Sequence, residues 1–168
     1  MINERLELIL TSLPENIHKV EKFVEDICDE FNINNTYFGN ILVALTEAVE
    51  NAMNHGNAKD SSKTVQIIFT SKPDGLSFVI KDEGKGFDIN TIPDPTDLNI
   101  DANELKGRGI FLIRHLADEV HFTDNGSRVE IIFKISSINN ELAVERMNLL
   151  KKYSGVKETS SSHNNTIN

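Results

Sequence analysis

Glu47, Asn51 and His55 recur at four-residue intervals within the run Ile41-Leu42-Val43-Ala44-Leu45-Thr46-Glu47-Ala48-Val49-Glu50-Asn51-Ala52-Met53-Asn54-His55. Four residues is close to one helical turn, so the three side chains form a polar stripe on one face. The wall beside the stripe is Val43, Ala44, Ala48 and Ala52. A carboxylate, an amide and an imidazole against such a wall are costly unless something satisfies them. A metal-bound nucleotide would do so. The amide oxygen of Asn51 is a hard donor suited to Mg²⁺, and Glu47 could orient or deprotonate a nucleophile. Taken alone, the stripe also fits a helix face turned to solvent.

Two glycine clusters follow. Asp82-Glu83-Gly84-Lys85-Gly86-Phe87-Asp88 comes after the strand-like run Leu76-Ser77-Phe78-Val79-Ile80. A carboxylate at a strand end, then two glycines, gives a fixed acceptor beside backbone that can approach a flat ligand. In Lys106-Gly107-Arg108-Gly109-Ile110-Phe111-Leu112-Ile113-Arg114-His115-Leu116, a Gly-x-Gly element opens a helix of apolar period three to four. Helix N-termini present free N–H groups and a positive dipole end, which suit phosphate. Each cluster by itself also fits an ordinary turn.

In this order and at these separations the three segments resemble the N, G1 and G2 boxes of one ATPase superfamily. It comprises gyrase, the heat-shock chaperones, histidine kinases and the mismatch-repair ATPases. The nearest resemblance is to its small bacterial branch, the anti-sigma-factor serine/threonine kinases. Thr46 to Gly56 resembles that branch's N box, and Asp82 to Asp88 its G1 box. Pro93-Asp94-Pro95-Thr96 resembles its lid, and Gly107 to Ile113 its G2 box. The resemblance spans roughly residues 5 to 135.

The resemblance implies ATP and Mg²⁺ as cofactors and phosphoryl transfer as the reaction, which needs positioning and charge neutralisation more than covalent chemistry. Asp82 would accept a hydrogen bond from the adenine amino group, and Gly84 and Gly86 would let backbone meet the base. Asn51 would bind Mg²⁺, and Gly107 and Gly109 would offer N–H groups to the phosphates. Glu47 would be the base toward an incoming hydroxyl. Some members place an arginine just before the second glycine box to meet the γ-phosphate. Leu105 stands there in this chain, leaving Lys106 or Arg108 to substitute. The acceptor implied is a serine or threonine of an anti-sigma antagonist, with a sigma factor as competing partner and a homodimer as a further assembly. Two rival readings are a non-catalytic, ATP-gated partner-binding module and a histidine-kinase catalytic domain. The second needs a phosphorylatable histidine helix pair, for which we find no room N-terminal to the boxes.

These residues need elements to hold them. Arg5 to Thr11 alternates and reads as a strand. Pro14-Glu15 fits a helix opening, with Ile17, Val20, Phe23, Val24, Ile27 and Phe31 as its apolar face. Asn34-Asn35-Thr36 offers caps for the helix bearing Glu47 and Asn51, which Gly56 ends. Val65–Thr70 and Leu76–Lys81 read as strands across Lys72-Pro73-Asp74-Gly75. Glu119–Thr123 and Arg128–Ile135 read as a second hairpin across Asp124-Asn125-Gly126-Ser127. The order predicts an α+β, two-layer sandwich: helices on one face of a mixed, mostly antiparallel sheet. The superfamily's histidine-kinase-like (Bergerat) fold is the same. We expect one domain over residues 1–137, with a lid at 88–106. There Asp88, Asp94, Asp97, Asp101 and Glu104 make the segment acidic, and Pro93 and Pro95 interrupt regular structure. Residues 138–153 could make an amphipathic helix through Ile138, Leu142, Met147, Leu149 and Leu150. Residues 154–168 read as a disordered tail.

Composition narrows the function. At 168 residues the chain is about one domain. Its 17 basic and 26 acidic side chains leave a net charge of −9, which argues against broad nucleic-acid binding and leaves a basic protein partner open. Cys28 is the single cysteine. It lies in an apolar-periodic helix and reads as a small core residue. His18, His115, His121 and His163 are scattered and read as surface or edge residues. There is no P-loop, no ordinary protein-kinase loop motif and no metal-binding Cys/His cluster. With no signal peptide and no apolar stretch of about 18 residues, no membrane is implied and the expected compartment is the cytoplasm.

Overall fold

The structure, a computed structural model, describes residues 4–91 and 107–135. Eight main elements run β1 (Arg5–Thr11), α1 (Ile17–Glu30), α2 (Asn35–Asn51), β2 (Thr64–Lys72), β3 (Gly75–Asp82), α3 (Arg108–Leu116), β4 (Glu119–Thr123) and β5 (Arg128–Lys134). All belong to one unit that ends at Lys134. The five strands form one sheet in the order β1-β2-β3-β5-β4. Every pairing among the described strands is antiparallel. This is the α+β architecture expected from the sequence.

Strand alternation decides which face is covered. Leu10, Val65, Ile67, Phe69, Phe78, Ile80, Val129, Ile131 and Phe133 are buried on one side. Residues between them, such as Gln66, Lys81 and Glu130, are less buried or exposed. Phe69 and Phe78 are direct partners across β2 and β3, with ring centroids 5.2 Å apart, and Phe78 meets Phe133 of β5 at 6.2 Å. This aromatic row makes the helix-facing surface of the sheet. Onto it α1 brings Val20, Val24, Ile27 and Cys28, α2 brings Ile41, Ala44, Leu45, Ala48 and Val49, and α3 brings Ile110 and Ile113. Burial raises the Cys28 thiol to about 11, so it is an inert core residue.

Local signals fix the ends. Pro14 opens a short 3₁₀ turn ahead of α1. Asn34 caps α2, its side chain accepting from the Thr36 N–H at 3.0 Å. Lys72 pairs with Gly75, so Pro73-Asp74 form a two-residue hairpin loop. No helix among the described residues is long and apolar enough to cross a membrane. The segments 92–106, 138–153 and 154–168, with the remainder of the expected lid, the C-terminal helix and the tail, lie outside the described residues.

Candidate functional site

Glu47 and Asn51 sit on the part of α2 that α3 crosses. A side-chain carbon at Gly109 would fall 2.8 Å from Glu47 Oε2 and 3.1 Å from Asn51 Nδ2. Glycine at that position lets the first turn of α3 rest on the polar pair. Gly107 is the residue before α3, and Arg108 is exposed. Lys106 and Leu105 lie outside the described residues.

Two members of the sequence pattern depart from it. Residues Ala52–Gly56 wind as a π turn, closed by the Asn57 N–H donating to the Ala52 carbonyl at 2.7 Å. The wider winding breaks the four-residue spacing, and His55 is exposed. Val43 is 42% exposed and does not belong to the wall beside the stripe. Ala44, Ala48 and Ala52 do, and all three are buried.

Asp82 ends β3 and is only 7% exposed. Its N–H donates to the Ser127 carbonyl at 3.0 Å, and the Gly84 N–H donates to Oδ1 at 2.8 Å. Burial pushes the carboxyl above its usual range, while the Gly84 N–H and the charge of Lys63 pull the other way. A side-chain carbon at Gly56 would lie 2.3 Å from the Asp82 carboxylate, and one at Gly84 only 1.8 Å from the Gly56 carbonyl. Gly86 has φ +80°, and a side chain there would meet the Asn125 carbonyl at 2.0 Å. The room that Gly84 and Gly86 leave is thus taken up by protein backbone. These glycines pull the end of α2, the loop after β3 and the β4–β5 turn together.

A narrow pocket lies where these parts meet, lined by Asn51, Asp82, Ile80, Phe87, Ile113 and Phe122 among others. Its free volume is about 20 Å³, room for about one water. A larger cavity of about 620 Å³ along Lys85–Ile89 shares Phe87, Phe122 and Gly126 with it. Phe87 and Phe122 meet edge to face at 6.4 Å, and the Arg114 guanidinium lies 6.0 Å from the Phe122 ring centre. A buried carboxylate at the end of an apolar slot suits a flat ligand carrying an N–H donor. The N-terminus of α3 above the polar pair suits an anionic group.

Sequence reasoning missed the aromatic wall and Asn57. Phe87 was visible as part of the first glycine cluster, but Phe122 comes from a different hairpin. Asn57 is fully buried. Its Nδ2 donates to Ser12 Oγ at 2.8 Å and to the Thr64 carbonyl at 2.9 Å, and its Oδ1 accepts from the Glu83 N–H at 2.8 Å. An asparagine after a helix-ending glycine reads as an ordinary turn residue, so nothing local signals that role.

The family model of the histidine kinase-like ATPase domain matches residues 10–133. A serine-protein kinase RsbW of Staphylococcus aureus strain bovine RF122 is 38% identical over 84 residues, 46% of this chain and 53% of that protein. The RsbW of strain Newman is 37% identical over the same share of each chain. The match thus spans about half the length of these curated relatives. The crystal structure of the RsbU and RsbW domains of Rv1364c from Mycobacterium tuberculosis superposes with a TM-score of 0.57 at 17% identity. It covers 78% of this chain and 32% of that one, and it shows likeness of fold.

Proposed function

Because this chain belongs to the histidine kinase-like ATPase domain family, we propose that it binds Mg-ATP between α2, the end of β3 and α3. We further infer that it transfers the γ-phosphoryl group to a serine or threonine of a protein acceptor. One observation carries this reading: the buried Asp82 carboxylate shares a pocket with Asn51, and the Glu47–Asn51 pair lies beneath the N-terminus of α3. Asp82 accepts from the adenine amino group, and Ile80, Ile113 and Phe87 contact the ring. The slot is smaller than a purine, so the Phe87 wall moves toward the larger cavity when the base enters.

The Asn51 side chain, with Glu47 beside it, suits Mg²⁺, an ion that takes one or two protein oxygens and keeps phosphate and water as its other ligands. Bound there, the ion would neutralise charge on the phosphoryl group. Gly107, Arg108 and Gly109 offer N–H groups and one cation to the phosphates, and Lys106 adds a second. Glu47 orients the acceptor hydroxyl and takes its proton. Residues 88–106 act as a lid.

The S. aureus relatives are named serine-protein kinases, which supports a protein serine as acceptor; the resemblance to the anti-sigma-factor kinases extends this to an anti-sigma antagonist as acceptor and a sigma factor as binding partner. A second copy of the chain is a further partner, and the cytoplasm is the compartment. Leu105 stands where some members carry arginine, and this favours a second reading, an ATP-gated binding module without transfer.

The test is a titration with Mg-ATP and Mg-GTP, then an assay of phosphate transfer to a small antagonist protein. Selective ATP binding with transfer is expected. ATP-dependent capture of the antagonist without transfer would put the module in place of the kinase. No ATP binding would remove both readings.

A further inference from the structure

We propose that Asn57 is a positioning residue that aims the Asp82 carboxylate and thereby sets the base selectivity of the site. The proposal rests on the ATP reading above. Asp82 is held by backbone on both sides. Its own N–H is anchored on the Ser127 carbonyl. The next N–H, that of Glu83, is anchored on Asn57 Oδ1. The carboxylate itself is buried and accepts from the Gly84 N–H. Gly56 and Gly84 have no side chains to wall it in, and the Gly84 N–H rides on the same loop. The direction of the carboxylate is set by the peptide between Asp82 and Glu83 together with the Gly84 N–H that follows it, and Asn57 clamps that peptide.

The clamp has a rigid base. Asn57 is fully buried, and its side-chain amide spends both donors and its acceptor on three partners. Its backbone N–H closes the π turn that extends α2. The Glu83 carboxylate accepts from the Thr64 N–H and hydroxyl, and the Thr64 carbonyl is itself an Asn57 partner. The segment bearing Asn51 and the loop bearing Asp82 are thus referenced to one buried amide. The remaining bond, to Ser12 Oγ, ends on the residue after β1 and touches neither Asp82 nor Glu83. Ser12 also donates to the Lys63 carbonyl. Removing the Ser12 hydroxyl cuts one Asn57 bond and spares the Glu83 anchor, which provides an internal control.

The experiment compares the parent, Ser12→Ala, Asn57→Ala and the milder Asn57→Ser. Dissociation constants for Mg-ATP and Mg-GTP are measured well below each melting temperature, with amide exchange at Glu83 and Gly84. Ser12→Ala should melt earlier and keep the parent's ATP-to-GTP preference. Asn57→Ala should lose about tenfold or more of that preference, the scale of one hydrogen bond, and its Glu83 amide should exchange faster. An unchanged preference in Asn57→Ala would overturn the proposal, as would an equal loss in Ser12→Ala. Failure of both Asn57 variants to fold would also overturn it, because the amide would then serve the whole domain. A parent with no preference for ATP would instead overturn the ATP reading, and this proposal with it.

Discussion

Asp82 is under two opposed demands. A buried carboxylate is costly, and this one is raised above its ordinary value mainly by desolvation. A carboxyl whose folded pKa is raised adds stability that is full below its unfolded pKa and is lost as pH rises through its folded pKa. At neutral pH the ionised Asp82 therefore weakens the fold. Asp82→Asn keeps an acceptor for the Gly84 N–H and removes the charge. We expect a higher melting temperature at pH 7, with the gain shrinking under acid, and ATP binding weaker by about 1–3 kcal/mol. Thermal melts over a pH series and nucleotide titration check both halves, and equal ATP and GTP affinity in the parent would remove Asp82 from base reading. Glu47 makes the opposite prediction. A general base contributes to the transition state and not to ground-state binding, so Glu47→Gln should hold ATP affinity within a few-fold. Phosphoryl transfer should fall by ~10²–10⁴. Transfer at the parent's rate would take the role of base from Glu47.

At the scale of elements, the site depends on close approach. The loop after β3 meets the end of α2 with Gly84 against the Gly56 carbonyl, where a side-chain carbon would sit at 1.8 Å. That neighbour is backbone and cannot swing aside as a side chain would. Gly84→Ala must push loop and turn apart, and we expect a loss of about 1–3 kcal/mol or more, read by denaturant unfolding, together with weaker ATP binding. Retention of both stability and affinity would mean that the loop relaxes freely. Gly109 differs, because its nearest neighbours are the ends of Glu47 and Asn51. The π turn is the third device. It brings Asn57 under the loop and moves His55 out to solvent.

Across the whole molecule, the sheet is a scaffold whose helix-covered face is apolar and whose other face carries polar ladders. Glu130 on β5 accepts from the Ser77 hydroxyl at 2.6 Å and from Lys72 at 3.1 Å. The Ser77 bond, against the opposing effect of desolvation, and then Lys72 hold its carboxyl below the usual range. A depressed carboxyl adds stability above its unfolded pKa of about 4.5 and loses it as pH falls through the folded value. Acid should therefore lower the melting temperature below about pH 4.5, and Glu130→Gln should flatten part of that limb. An unaltered acid limb in the variant would show that the Ser77 and Lys72 contacts do not survive in solution. Asp82 works with the opposite sign, so the two variants separate cleanly in one pH series.

Much of this was legible in the chain because it rests on local physics. Alternation gave β1 its observed bounds, the Asn34 cap and the Pro14 turn marked helix starts, and Pro73-Asp74 and Asn125-Gly126 marked the hairpins. Motif order pointed to Glu47, Asn51, Asp82 and Gly109; the fold sets Gly109 against Glu47 and Asn51, and Asn51 in a pocket with Asp82. The sequence could not tell His55 from the stripe, because four-residue spacing holds only while the helix stays α and the π turn is closed by Asn57. Nor could it separate exposed Val43 from buried Ala44. Asn57 and Phe122 were invisible for a further reason. Their partners lie 45 residues away at Ser12 and 26 away at Glu83 for the one, and on the loop after β3 for the other. Local pattern records what a residue prefers. Long-range packing decided which polar groups would be buried together and which glycines would let backbone touch backbone.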